Sequence, residues 1–122
     1  MNKKFSIKNS LNSFKYAFNG LLIFFKSQQN AWIHLAFAIG VGILGIYFKI
    51  TFYEWIAICG AVGLVFTAEI INTAIEFLTD LVSPHHNIQA GKVKDLAAGA
   101  VLVASISALL IAVFVFIPKL IV

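Results

Sequence analysis

Arginine is missing from this chain, and cysteine, proline and acidic residues are scarce: one Cys, two Pro and five Asp plus Glu. Without guanidinium groups there is no planar fork for phosphates or base edges. The basic residues are all lysine, and they are not interleaved with aromatics in the way that reads nucleic acid. No nucleic-acid partner is expected. A single thiol excludes an internal disulfide, and Cys59, set within an apolar run, is read as buried and inert. Neither GxxxxGKS nor GxxxxGKT occurs, which excludes a Walker-type phosphate loop. Charged residues, at 11% in all, are too few for an ordinary soluble domain.

Hydrophobic residues make up 61% of the 122 positions, a length that suits one domain. Runs free of Lys, Asp and Glu cover residues 27–48, 55–68 and 96–117. The first and third can each cross about 30 Å of hydrocarbon. The second becomes a span if it continues past Glu69 to residue 77. The expected fold is an all-α membrane protein with a surface helix over 1–27 and transmembrane helices over 28–49, 52–82 and 94–118. All four belong to a single membrane-embedded domain.

Near the amino terminus Ile7, Leu11, Phe14, Phe18, Leu21 and Phe25 recur every three or four positions, with Lys8, Asn12, Lys15 and Asn19 elsewhere on the wheel. That pattern suits an amphipathic helix lying in the membrane interface. A secretory signal is the competing reading, but its apolar core would be only 21–25 and no small-residue cleavage site follows. In the first span Trp32 and Tyr47 are placed as interfacial anchors, and His34 is read as a satisfied polar residue near the interface. Gly40, Gly42 and Gly45 there permit close backbone approach. A short turn over 49–54 makes a hairpin, with Glu54 expected in water. Ser83-Pro84 ends the second span. The third carries Ala100, Ala104, Ala108 and Ala112, a ladder suited to tight packing, and Pro118 closes it. Seven lysines lie in the amino-terminal segment and the second loop, against Lys49 and Lys119 on the other side. The lysine-rich side is expected to be cytoplasmic.

Four of the five acids, Glu69, Glu76, Asp80 and Asp95, fall in one stretch over 68–95. On a helix Glu69, Asn72, Glu76 and Asp80 lie within about 80° of one another, along roughly 16 Å. Carboxylates in an apolar helix are costly and mark a functional face. A carboxylate withdrawn from water suits a general base. A second one near the interface suits Mg²⁺, which needs few protein ligands. Lys92 and Lys94, beside Gly91 and a helix start, suit polyphosphate. Together these residues describe phosphoryl transfer from a soluble nucleotide to a hydroxyl at membrane depth.

The run AEIINTAIE (68–76), with Asp80 after it and AGKVKDLAAGAV (90–101) beyond, resembles the signature of the prokaryotic integral-membrane diacylglycerol kinases, which include undecaprenol kinases. The resemblance covers nearly the whole chain. It implies a homotrimer in the bacterial cytoplasmic (inner) membrane, with the amino terminus and active-site loop cytoplasmic. Its reaction would pass the γ-phosphate of ATP, with Mg²⁺, to a membrane lipid alcohol. Diacylglycerol would give phosphatidic acid, and undecaprenol would give undecaprenyl phosphate. By the same resemblance Glu69 is the catalytic base, Asn72 positions it and Glu76 holds the metal. Tyr16, His85, His86, Asn87, Lys94 and Asp95 would contact the nucleotide, with Gly20 close to nucleotide and lipid. The family's second metal-binding glutamate is replaced by Gln28, and its early arginine is absent. His34 within NAWIH resembles Gram-positive-type members, several of which prefer undecaprenol. The alternatives are a non-catalytic membrane protein that keeps the fold and, more distantly, an ion or proton carrier built on Glu69.

Overall fold

The computed structural model describes residues 5–121 as four α-helices: α1 (Ile7–Ser27), α2 (Gln29–Tyr47), α3 (Phe52–Val82) and α4 (Ile88–Ile121). No strand occurs among the described residues. Lys3 and Lys4, counted above with the basic amino terminus, lie outside them. The last three helices are each long and apolar enough to cross a membrane. The protein is an all-α membrane protein with an amphipathic helix ahead of three spans.

Ser6 starts α1, its side chain accepting from the Asn9 N–H at 3.4 Å. Ile7, Leu11, Phe14 and Phe18 form an apolar face that no other helix of the chain covers, as suits a helix seated on acyl chains. Only Gln28, in extended conformation, separates α1 from α2. That corner is fixed: the Trp32 indole N–H donates to the Phe25 carbonyl at 2.8 Å, with the two rings edge to face. Beside it Phe24, 2% exposed, packs against Phe66 of α3.

The α2–α3 turn closes by a paired C-cap. Lys49 adopts φ 51° while the Ile50 N–H reaches the Gly45 carbonyl at 3.1 Å and the Lys49 N–H the Ile46 carbonyl at 3.3 Å. This is a Schellman motif, with Lys49 in the place usually given to glycine. Gly45 is the position in α2 that needs its missing side chain: a Cβ there would stand 2.6 Å from Trp55. Gly40 and Gly42, expected to share this role, have open space around them. Next, Thr51 and Glu54 form a capping box. Glu54 also pairs with Lys119 at 3.1 Å and is 22% exposed on its side chain, so it is not the freely solvated acid expected from its place in the turn. Local capping and the arrival of α4 cover it.

Helices α3 and α4 make the main helix–helix contact of the fold. The buried stripe of α4 is Ala97, Ala104 and Val115; of the expected ladder Ala104 is buried, Ala108 and Ala112 are half-buried, and Ala100 is not covered. A strict four-residue repeat precesses by about 40° per step on a helix of 3.6 residues per turn. Ala100 has rotated out and is exposed. α4 also starts six residues before the expected 94, because Asn87 caps it, accepting from the N–H groups of Gln89 and Ala90. It runs on through Pro118, where proline removes one hydrogen bond in a final turn that has few left to lose. Cys59, expected to be buried, is exposed on the outer face of the bundle. Its neighbour Ile58 takes the inward position, in a cluster with Ile50 and Val115 at the turn end.

Candidate active site

The buried stripe of α3 runs Ile58, Ala61, Val65, Glu69 and Thr73. Glu69 thus occupies a core position in an otherwise apolar series, 7% exposed. It is not left alone there. His34 Nε2 lies 2.7 Å from Glu69 Oε1, and the imidazole meets the ring of Phe66 edge-on. An unpaired carboxylate at that position would carry a large desolvation cost, which the imidazole contact offsets. The Thr73 hydroxyl donates to the Glu69 carbonyl at 2.9 Å, a local bond within α3.

One turn further along, Asn72 Nδ2 donates to Glu76 Oε1 at 3.2 Å. Asn72 Oδ1 is enclosed and has no donor. A buried acceptor left open is uncommon in a folded chain and marks a place where something else donates. Beyond these, Lys94 Nζ of α4 pairs with Asp80 Oδ1 at 2.5 Å. The structure therefore joins Asn72 to Glu76 within α3 and Asp80 to Lys94 across α3 and α4, and adds His34 to Glu69. No local pattern could have revealed His34, since its partner is 35 residues away.

Gln28 sits at the α1–α2 corner, half-buried, and its side chain makes no capping bond. Its depth follows from register. Six residues back from His34 is Gln28, and six on from Glu69 along antiparallel α3 is Ile75. By that count Gln28 falls at the depth of Ile75, one residue before Glu76 and about 9 Å from the His34–Glu69 pair along the helix axis. Among the described residues no three His, Cys, Asp or Glu gather as a metal cage. Mg²⁺ does not require one, since it keeps waters and phosphate oxygens around one or two carboxylates. Glu76, Gln28 near its depth and the open Asn72 Oδ1 fit that partial shell.

The remaining candidates are placed at the surface. Tyr16 and Gly20 lie exposed on α1, His85 and His86 in the α3–α4 loop, and Asp95 on α4. Asn87 is engaged as the cap of α4, which uses two of the amide donors that a helix start would otherwise offer to phosphate. On the other side of the pair, a crevice of about 300 Å³ runs between α2, α3 and α4 from His34 past Phe37, Val41, Val62 and Val65. It is polar at its His34 end and apolar along its length.

The family model for prokaryotic diacylglycerol kinase matches residues 15–116. An undecaprenol kinase of Bacillus subtilis is 36% identical over 117 residues, 93% of this chain and 95% of that protein. A diacylglycerol kinase of Synechocystis is 32% identical over 113 residues, 92% of this chain and 65% of that longer protein.

Proposed function

The chain belongs to the prokaryotic diacylglycerol kinase family, and on that premise we propose that it is a lipid kinase moving the γ-phosphate of ATP to a membrane lipid alcohol. The observation that carries this reading is the buried, histidine-held Glu69 on the same helix face as the Asn72–Glu76 pair. Undecaprenol is the first candidate acceptor, because the undecaprenol kinase relative matches end to end. Diacylglycerol is the second.

In this mechanism the lipid chain lies in the apolar crevice with its hydroxyl at the His34–Glu69 end. Glu69 takes the hydroxyl proton through the carboxylate oxygen that His34 leaves free. The alkoxide oxygen bonds to the γ-phosphorus, the bond to the bridging oxygen breaks, and ADP leaves. Glu76, with Asn72 bonded to it and Gln28 near its depth, would hold Mg²⁺. Once bound, that ion would neutralise charge on the phosphates. Lys94 supplies a mobile cation at the entrance, and Tyr16, His85, His86 and Asp95 are the surface groups within the nucleotide's region of the fold. The protein works as a homotrimer in the bacterial cytoplasmic membrane, with α1 and the α3–α4 loop cytoplasmic.

The test is transfer from labelled ATP to a panel of lipid alcohols in mixed micelles. We expect undecaprenol to be the best acceptor. Glu69→Gln should lower turnover by about 10²-fold or more, the range for a lost general base, while MgATP binding persists. Glu76→Gln should instead weaken MgATP binding. Transfer to no alcohol would favour a non-catalytic protein that keeps the fold.

A further inference from the structure

We propose that His34 is the positioning residue for the base of this kinase, holding Glu69 Oε1 so that Oε2 faces the lipid hydroxyl, a role that presupposes Glu69 as the base. The 2.7 Å contact is the one polar side-chain link between α2 and α3 among the described residues. It sits where three aromatic groups restrict movement. Phe66 of α3 stands against the imidazole, and Phe24 and Phe25 of α1 both pack on Phe66. Trp32, two residues before His34, is pinned to the α1 backbone by its indole N–H. His34 is therefore held from behind by α1 and reaches forward to Glu69.

A glutamate on a helix has three side-chain torsions and, unsupported, spreads its carboxylate over several rotamers. One oxygen tied to Nε2 leaves the other in a defined place. His34 itself lines the apolar crevice, which sets the carboxylate it holds beside the space where a lipid alcohol would enter. Near-attack geometry depends on displacements of about 1 Å, which can cost a hundredfold in rate. A histidine present only to satisfy a buried acid would affect stability and leave the rate of folded protein unchanged.

The experiment compares His34→Ala, His34→Gln and His34→Asn in mixed micelles, with kcat and KM measured separately for MgATP and lipid. His34→Ala should lower kcat by about 10- to 100-fold and leave KM for MgATP within about twofold. His34→Gln places an amide donor near the Nε2 position and should recover most of kcat. His34→Asn is polar but too short to reach Glu69 and should stay with His34→Ala. Should His34→Ala not fold, the Gln-against-Asn contrast decides alone. A kcat for His34→Ala within twofold of the natural protein, or equal losses in Gln and Asn, overturns the proposal. Glu69→Gln, run alongside, keeps the two ideas separate. If it retains turnover, the base assignment itself is wrong. If it is inactive while His34→Ala is normal, Glu69 stands and only the role of His34 falls.

Discussion

Lys94 donates to Asp80 at 2.5 Å across the α3–α4 hairpin, so the ammonium nearest the proposed phosphate site is already engaged by a carboxylate of its own chain. Both side chains are open to water, Asp80 at 64% exposure, and an exposed pair of this kind contributes about 1 kcal/mol or less. Phosphate can therefore displace Asp80 at little cost. Lys94→Ala should raise KM for MgATP about tenfold, the loss of one charge-assisted contact. Asp80→Asn should lower it by roughly twofold to threefold, because the competitor is gone. Steady-state kinetics against MgATP checks both signs, and a higher KM in Asp80→Asn would mean that Asp80 serves the nucleotide directly.

Gln28, near the depth of Glu76 by helical register, brings an amide where a carboxylate would bring charge. Mg²⁺ favours carboxylate oxygen. Gln28→Glu should reduce the Mg²⁺ concentration for half-maximal activity, and one added ligand of about 1.4 kcal/mol corresponds to a tenfold change. An unchanged requirement would remove position 28 from the metal and leave Asp80, Asp95 or water to complete the shell.

Gly45 and Trp55 touch so closely that a methyl group at 45 would stand 2.6 Å from the indole. Gly45→Ala should destabilise the α2–α3 hairpin by about 1–3 kcal/mol, as overpacking does. Combining it with Trp55→Leu should restore part of that loss. Unfolding in detergent with Trp fluorescence or circular dichroism as readout would measure it. Equal stability of Gly45→Ala and the natural protein would show that Trp55 has another rotamer open to it.

From the lysine asymmetry we propose that the lysine-rich side is cytoplasmic. In a Cys59→Ala background, a cysteine at Gln89 should be protected from an impermeant thiol reagent in intact cells, and one at Thr51 should be labelled. Labelling of the Gln89 position from outside would invert the topology and separate the proposed site from cytoplasmic ATP.

The helices were legible in the sequence because each rests on a local cause. Charge-free runs gave the spans, Ser83-Pro84 the stop of α3, and the alternation of Phe and Lys the surface helix. The shared face of Glu69, Asn72 and Glu76 was legible for the same reason, by periodicity alone. What joins different helices was not. His34 alone in an apolar helix gives no sign of its partner, and Glu54 near a turn gives no sign of Lys119. The alanine ladder misled because its four-residue spacing is easy to see in one dimension but drifts around a helix in three. Asn87 was an available signal for an early start of α4. Its side chain caps the helix, a role that a single Asn before an apolar run can announce.

Two ion pairs bracket the α3–α4 hairpin, Glu54–Lys119 at one end and Asp80–Lys94 at the other. Along α3 they are separated by about 39 Å at 1.5 Å per residue, close to the full thickness of a bilayer with its headgroups, about 40–45 Å. The hairpin is in effect a gauge of fixed length, and Glu69 is a graduation on it. The depth of the lipid hydroxyl, by contrast, is set by the membrane. In bilayers thinner or thicker than the gauge, hydrophobic mismatch tilts the protein or deforms the lipid around it, and the hydroxyl and the base no longer meet at the same level. On the proposed mechanism, turnover would then follow membrane thickness with no ligand involved.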